Sequence, residues 1–118
     1  MKIRIKGNSV RYRLTKSDLF KLGNELALEE QTAFTGNTLI FRVQVTEDWL
    51  LTARYTGSHI ILNLPNRMLD ELMNTDRVGF SDKSGPVSLL IEKDFTCLDK
   101  VEEDQSDNFP NPLLQANN

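Results

Sequence analysis

The sequence predicts an α+β domain built from two pseudo-symmetric ββαββ units, with about eight mostly antiparallel strands and two short helices. Three observations predict it. A stretch of chain recurs fifty residues further on. Apolar and polar residues alternate in short runs, the period of strands with one buried face. Turn and cap residues bound those runs.

The recurrence is plain when IKGNSVRYRLTKSDLFKLGN, from Ile5, is set against YTGSHIILNLPNRMLDELMN, from Tyr55. Gly7 meets Gly57, Val10 meets Ile60 and Tyr12 meets Leu62. Leu14, Leu19, Leu22 and Asn24 meet Leu64, Leu69, Leu72 and Asn74. The matched positions are the turn glycine and the apolar positions, which fix structure.

Each unit opens with a hairpin. Ile3, Ile5, Val10, Tyr12 and Leu14 alternate with polar residues, and Gly7-Asn8 supplies a two-residue turn. A helix follows. Thr15 is its cap, Asp18 completes a capping-box variant, and Leu14 with Leu19 forms a hydrophobic staple. Gly23-Asn24 is expected to end it. In the second unit Pro65 marks the helix start, and Met68, Leu69, Leu72 and Met73 form its buried stripe. A second hairpin closes each unit, turning at Thr35-Gly36-Asn37 in the first and around Asp82-Lys83-Ser84-Gly85 in the second. Glu47-Asp48-Trp49 joins the halves. The strands are expected to form a flattened barrel or a two-layer packing, with the helices on an opening or one face.

The 118 residues fit one domain, spanning 1–99, with units over about 1–46 and 50–94. Residues 100–118 form an acidic, Asn- and Pro-containing tail in which Phe109, Leu113 and Leu114 are the apolar anchors. Apolar residues make up 39% of the chain. No segment approaches the roughly 20 apolar residues that span a bilayer. The start, Met1-Lys2-Ile3-Arg4, reads as a strand and not as a signal peptide. A single cysteine, Cys97, rules out an internal disulfide and favours a reducing, cytoplasmic setting.

The net charge of −3 hides a gradient. Residues 1–13 carry Lys2, Arg4, Lys6, Arg11 and Arg13 and no acid, while residues 92–107 carry seven acids against Lys93 and Lys100. With Gly7-Asn8 at the turn, Lys6 opposes Ser9, Arg4 opposes Arg11, and Lys2 opposes Arg13, all on one face. Like charges directly across strands destabilise a hairpin. Three arrangements offset them: a solvated face screened by salt, the chain's own acidic tail or an acidic residue on a neighbouring strand lying across the stripe, or an external anion. The same face of the second unit carries Thr52, Arg54, Ile61 and Asn63, so the fold does not require the basic stripe.

This points to a non-enzymatic binding module whose stripe of Lys2, Arg4, Lys6, Arg11 and Arg13 recognises an acidic protein or a small anion. Nucleic acid fits poorly, since no aromatic joins the stripe as a stacking platform and the total charge is negative. An enzyme of the anion-binding barrel type, using the stripe with Glu92 and Asp94 on a phosphorylated substrate, is the alternative. It requires those side chains to line an interior that apolar residues normally fill. A third reading is a subunit pairing through open sheet edges. Cys97 reads as a small buried hydrophobe and His59 as a polar turn residue. The chain holds no spaced Cys/His ligand set, phosphate-binding loop, GxSxG elbow or dinucleotide fingerprint.

MKIRIKGNSVRYRLTKSD at the start, RVGF at Arg77–Phe80 and LLIEKDFTCLDKVEEDQSDNFPNP from Leu89 to Pro112 resemble a family of small bacterial proteins that carries a domain-of-unknown-function label. The resemblance implies a bacterial, cytoplasmic protein and assigns no catalytic residue. It places the tail and the basic hairpin in one pattern. That implies a tail docked back as a latch through Glu102, Glu103, Asp104, Asp107 and Phe109.

Overall fold

A computed structural model of the chain describes residues 1–95 and 106–110. The first unit comprises β1 (Lys2–Lys6), β2 (Ser9–Leu14), α1 (Lys16–Glu25), β3 (Ala27–Phe34) and β4 (Asn37–Thr46). The second comprises β5 (Thr52–Thr56), β6 (His59–Pro65), α2 (Asn66–Asn74), β7 (Gly79–Asp82) and β8 (Ser88–Lys93). The strands form two four-stranded sheets, ordered β1-β2-β8-β7 and β3-β4-β6-β5. Exchanging the units turns one order into the other. Each unit therefore gives its first hairpin to one sheet and its second hairpin to the other. Hairpin pairs are antiparallel, while the central pairs, β2 with β8 and β4 with β6, are parallel. Among the described residues no pairing closes the sheets into a barrel.

Local chemistry sets each element. Gly7 and Gly57 hold φ of 54° and 57°, a left-handed conformation that suits glycine at a two-residue hairpin turn. The register follows, with Lys6 opposite Ser9 and Lys2 opposite Arg13. At α1 the Asp18 N–H donates to the Thr15 hydroxyl at 3.3 Å, and the Thr15 N–H donates to the Asp18 carboxylate at 2.9 Å. This reciprocal pair satisfies two of the helix's free donors. Pro65 precedes α2 without a side-chain cap bond.

The end of α1 differs from expectation. The helix runs through Gly23-Asn24 to Glu25, and Leu26 takes the left-handed cap position at φ 63°. Gly23 serves the packing of α1 on α2, because a Cβ there would stand 2.8 Å from Met73 Cε. Gly23 and Met73 occupy equivalent places in the two units. The pseudo-two-fold therefore brings them together, with the flexible end of Met73 lying over the glycine. Met73 is correspondingly 44% exposed rather than part of the buried stripe, which Met68, Leu69 and Leu72 form.

One core joins both sheets and both helices. Tyr12, Leu14 and Ile91 from one sheet meet Val43, Leu62 and Leu64 from the other, with Leu22 and Leu72 from the helices. Each such aliphatic side chain contributes roughly 1.5–3 kcal/mol on burial. The Tyr12 hydroxyl is buried with no hydrogen-bond partner among the described residues, and burial pushes its pKa up to about 12. Leu51 is buried and anchors the connection between units, where Arg67 stacks 3.9 Å from the Trp49 ring. No helix among the described residues is long and apolar enough to cross a membrane.

Candidate functional site

The first hairpin lays its basic residues on the side of the sheet away from the core. Tyr12 and Leu14 turn inward, so Arg11 and Arg13 turn outward beside Arg4 and Lys2 of β1. These side chains do not line a barrel interior. They surround a shallow depression of about 280 Å³ formed by Lys2, Ile3, Arg4, Arg11 and Arg13.

The parallel neighbour β8 supplies acids to this face. Arg13 lies directly beside Glu92 in the β2–β8 register. Arg13 Nε donates to Glu92 Oε1 at 3.2 Å, and Arg11 Nε lies 3.5 Å from the same oxygen. One carboxylate thus bridges two guanidinium groups. Just beyond β8, Asp94 is buried and its Oδ2 lies 3.3 Å from Lys2 Nζ. Arg4 and Lys6 form no ion pair among the described residues. Among the described residues, five cations therefore share a face with Glu92 and Asp94.

The equivalent face of the other sheet is built differently. Gln44 donates to Asn63 at 2.8 Å, and Asn63 donates to Thr52 at 3.2 Å. By register Gln44 stands for Glu92, Asn63 for Arg13 and Thr52 for Lys2. An uncharged amide ladder does there what an ion network does in the first sheet.

The tail residues expected to act as a latch are distributed as follows. Asp107 sits at the start of α1, accepting from the Ser17 hydroxyl and, at 3.3 Å, from the Ser17 N–H, while its carbonyl accepts from the Lys16 N–H at 3.2 Å. The Ser17 hydroxyl, with smaller help from Thr15, the Ser17 N–H and Lys16, holds the Asp107 carboxyl below its usual range. Phe109 donates its N–H to the Asp94 carbonyl at 2.9 Å and meets Phe95 edge to face at 6.0 Å. Glu102, Glu103, Asp104 and Cys97 lie outside the described residues. His59 opens β6 opposite Thr56, half-buried.

Sequence reasoning missed one buried charge. Lys93 is 8% exposed, and its ammonium donates to the Thr75 carbonyl at 3.0 Å. The signal was present, because Leu89, Ile91 and Lys93 fall on one side of β8. Among the described residues no cluster of three or more His, Cys, Asp or Glu side chains is arranged to hold a metal ion.

Fold and site together define an internally repeated α+β domain with interleaved sheets and one strongly basic sheet face. The profile of a family described as Family of unknown function (DUF7009) matches residues 1–113, and the chain belongs to that family. Comparison with curated proteins and with solved structures gave no match.

Proposed function

We propose that this chain is a non-enzymatic binding module whose face of Lys2, Arg4, Lys6, Arg11 and Arg13 recognises an anionic partner, foremost an acidic protein segment. One observation carries the reading. The charges on this face are more than the fold requires, since the equivalent strands achieve the same pairing with Thr52, Asn63 and Gln44. Among the described residues the face is also only partly neutralised. Glu92 is shared between Arg11 and Arg13, and Arg4 and Lys6 have no ion pair among the described residues. An acidic segment lying along β1 and β2 would meet alternating cations at strand spacing.

In this reading the chain's own Glu102, Glu103 and Asp104 act as an internal competitor for the face. Further along the tail, Asp107 bonds to the start of α1 and Phe109 to the Asp94 carbonyl, which supports a tail that docks. The reading takes with it a bacterial, cytoplasmic setting and an origin of the two units by duplication.

Titration with a labelled oligoglutamate peptide, at low and at moderate salt, tests the proposal. The double substitution Arg11→Gln/Arg13→Gln is expected to weaken binding roughly tenfold or more, with the difference shrinking as salt rises. Polyphosphate and single-stranded nucleic acid serve as comparison anions. If the wild-type chain binds none of them at low salt, or the double variant binds the peptide as well as the wild type does, the proposal fails.

A further inference from the structure

We infer that a second site, independent of the basic face, binds a small amphipathic anion: an apolar chain or ring ending in a carboxylate. The site is the groove between α1, α2 and the Phe95–Phe109 contact. Its volume of about 750 Å³ lies within the range of small-molecule pockets. Phe20, Leu72, Met73, Val78 and Phe109 supply apolar walls. Phe20, Met73 and Val78 are large apolar side chains left open to solvent. Clustered in this way they mark a surface that water solvates poorly.

Lys93 decides the chemistry of the ligand. Its strand position points it inward among Leu89 and Ile91, and it lines the groove. The ammonium has the Thr75 carbonyl at 3.0 Å and the Phe109 ring centroid at 5.2 Å. No carboxylate lies within ion-pair distance of it among the described residues. An ammonium carries three donors, and a buried cation is unfavourable unless paired. A ligand carboxylate in the groove meets both needs. The fold does not ask for this lysine, since the register places Val45 at the equivalent position of β4. Of the other charged groups on the groove, Lys16 adds to the preference for an anion and Asp76 opposes it. The apolar walls then select an anion with a hydrophobic body over a bare phosphate.

The test uses the full chain with two fluorescent probes of similar shape, the anionic anilinonaphthalenesulfonate and the neutral phenylnaphthylamine, and decanoate as competitor. The wild type is expected to bind the anionic probe roughly tenfold more tightly than the neutral one. Decanoate should displace it. Lys93→Met should abolish that preference, and Lys93→Arg should retain it. Val78→Trp, which fills the groove from its exposed rim and leaves the core untouched, should weaken both probes. Equal preference in Lys93→Met and the wild type overturns the inference. So does a failure of decanoate to compete. Displacement by a peptide of residues 111–118 but not by decanoate would also overturn it, assigning the groove to the chain itself.

Discussion

The outer faces of the two sheets share a backbone plan and differ in what holds them together. On the β1-β2-β8 face, Glu92 bridges Arg11 and Arg13, and Asp94 lies against Lys2. On the β5-β6-β4 face, Thr52, Asn63 and Gln44 form a neutral ladder, with Arg42 paired to Glu29 at 3.6 Å at its side. Half-exposed ion pairs stabilise a fold little, because water and salt screen them. Amide ladders manage without that sensitivity. The difference teaches that one backbone plan can be held by an ion network on one sheet face and by a neutral ladder on the other.

The largest effects should fall where the two halves agree. Leu14 and Leu64 are equivalent and fully buried. Leu14→Ala and Leu64→Ala are each expected to destabilise by about 2–5 kcal/mol in denaturant unfolding. A large disparity between them would break the claim that the halves share one core.

The next effect concerns the bridging carboxylate. Glu92→Gln gives the first face the residue that its counterpart carries at Gln44, but leaves Arg11 and Arg13 side by side. We expect a loss of about 1 kcal/mol at low salt that fades as salt rises. The same variant should bind oligoglutamate more tightly than the wild type, since both guanidinium groups are released. Weaker binding by Glu92→Gln would separate the ion network from the proposed recognition surface.

Tyr12 and Leu62 form another unequal pair within the core. Tyr12→Phe removes a buried hydroxyl with no partner among the described residues, and should leave stability unchanged or raise it by up to about 1 kcal/mol. A clear drop in melting temperature would show that the hydroxyl is satisfied.

The smallest effect concerns the tail anchor, which has no counterpart in the first unit. The Asp107 carboxyl titrates below its ordinary value of 3.8 in the docked state. Docking is therefore favoured above that value and weakened as pH falls through the depressed one. Hydrogen exchange at the Phe109 amide, bonded to the Asp94 carbonyl, should accelerate relative to core amides over that acidic range. Asp107→Asn should remove the pH dependence. An unchanged profile in that variant would assign the anchoring to Phe109 alone.

Much of the fold was legible from short-range signals. Gly7 and Gly57 specified tight turns, Thr15 and Asp18 specified a helix start, alternation gave Tyr12 and Leu14 the apolar face, and the recurrence matched Leu62 and Leu64 to them. The errors also have a local origin. Gly23-Asn24 carries the chemistry of a helix end, yet packing against Met73 uses the glycine inside the helix. The stripe rule assigned Met73 to the core, but the meeting of α1 and α2 leaves it over Gly23, partly open.

Turn geometry and alternation were enough to put Lys2, Arg4, Lys6, Arg11 and Arg13 on one face, because a two-residue turn sets register over its whole hairpin. The partners of that face came from tertiary structure. Arg13 and Glu92 are 79 positions apart and became neighbours only when the second hairpin of one unit paired with the first hairpin of the other. The parallel central pairs, the meeting of Lys93 with Thr75 and Phe109, and the groove between the helices arise in the same way. Local periodicity reports which side of a strand a residue occupies. Which strand lies beside it depends on how the whole chain buries its apolar faces at once.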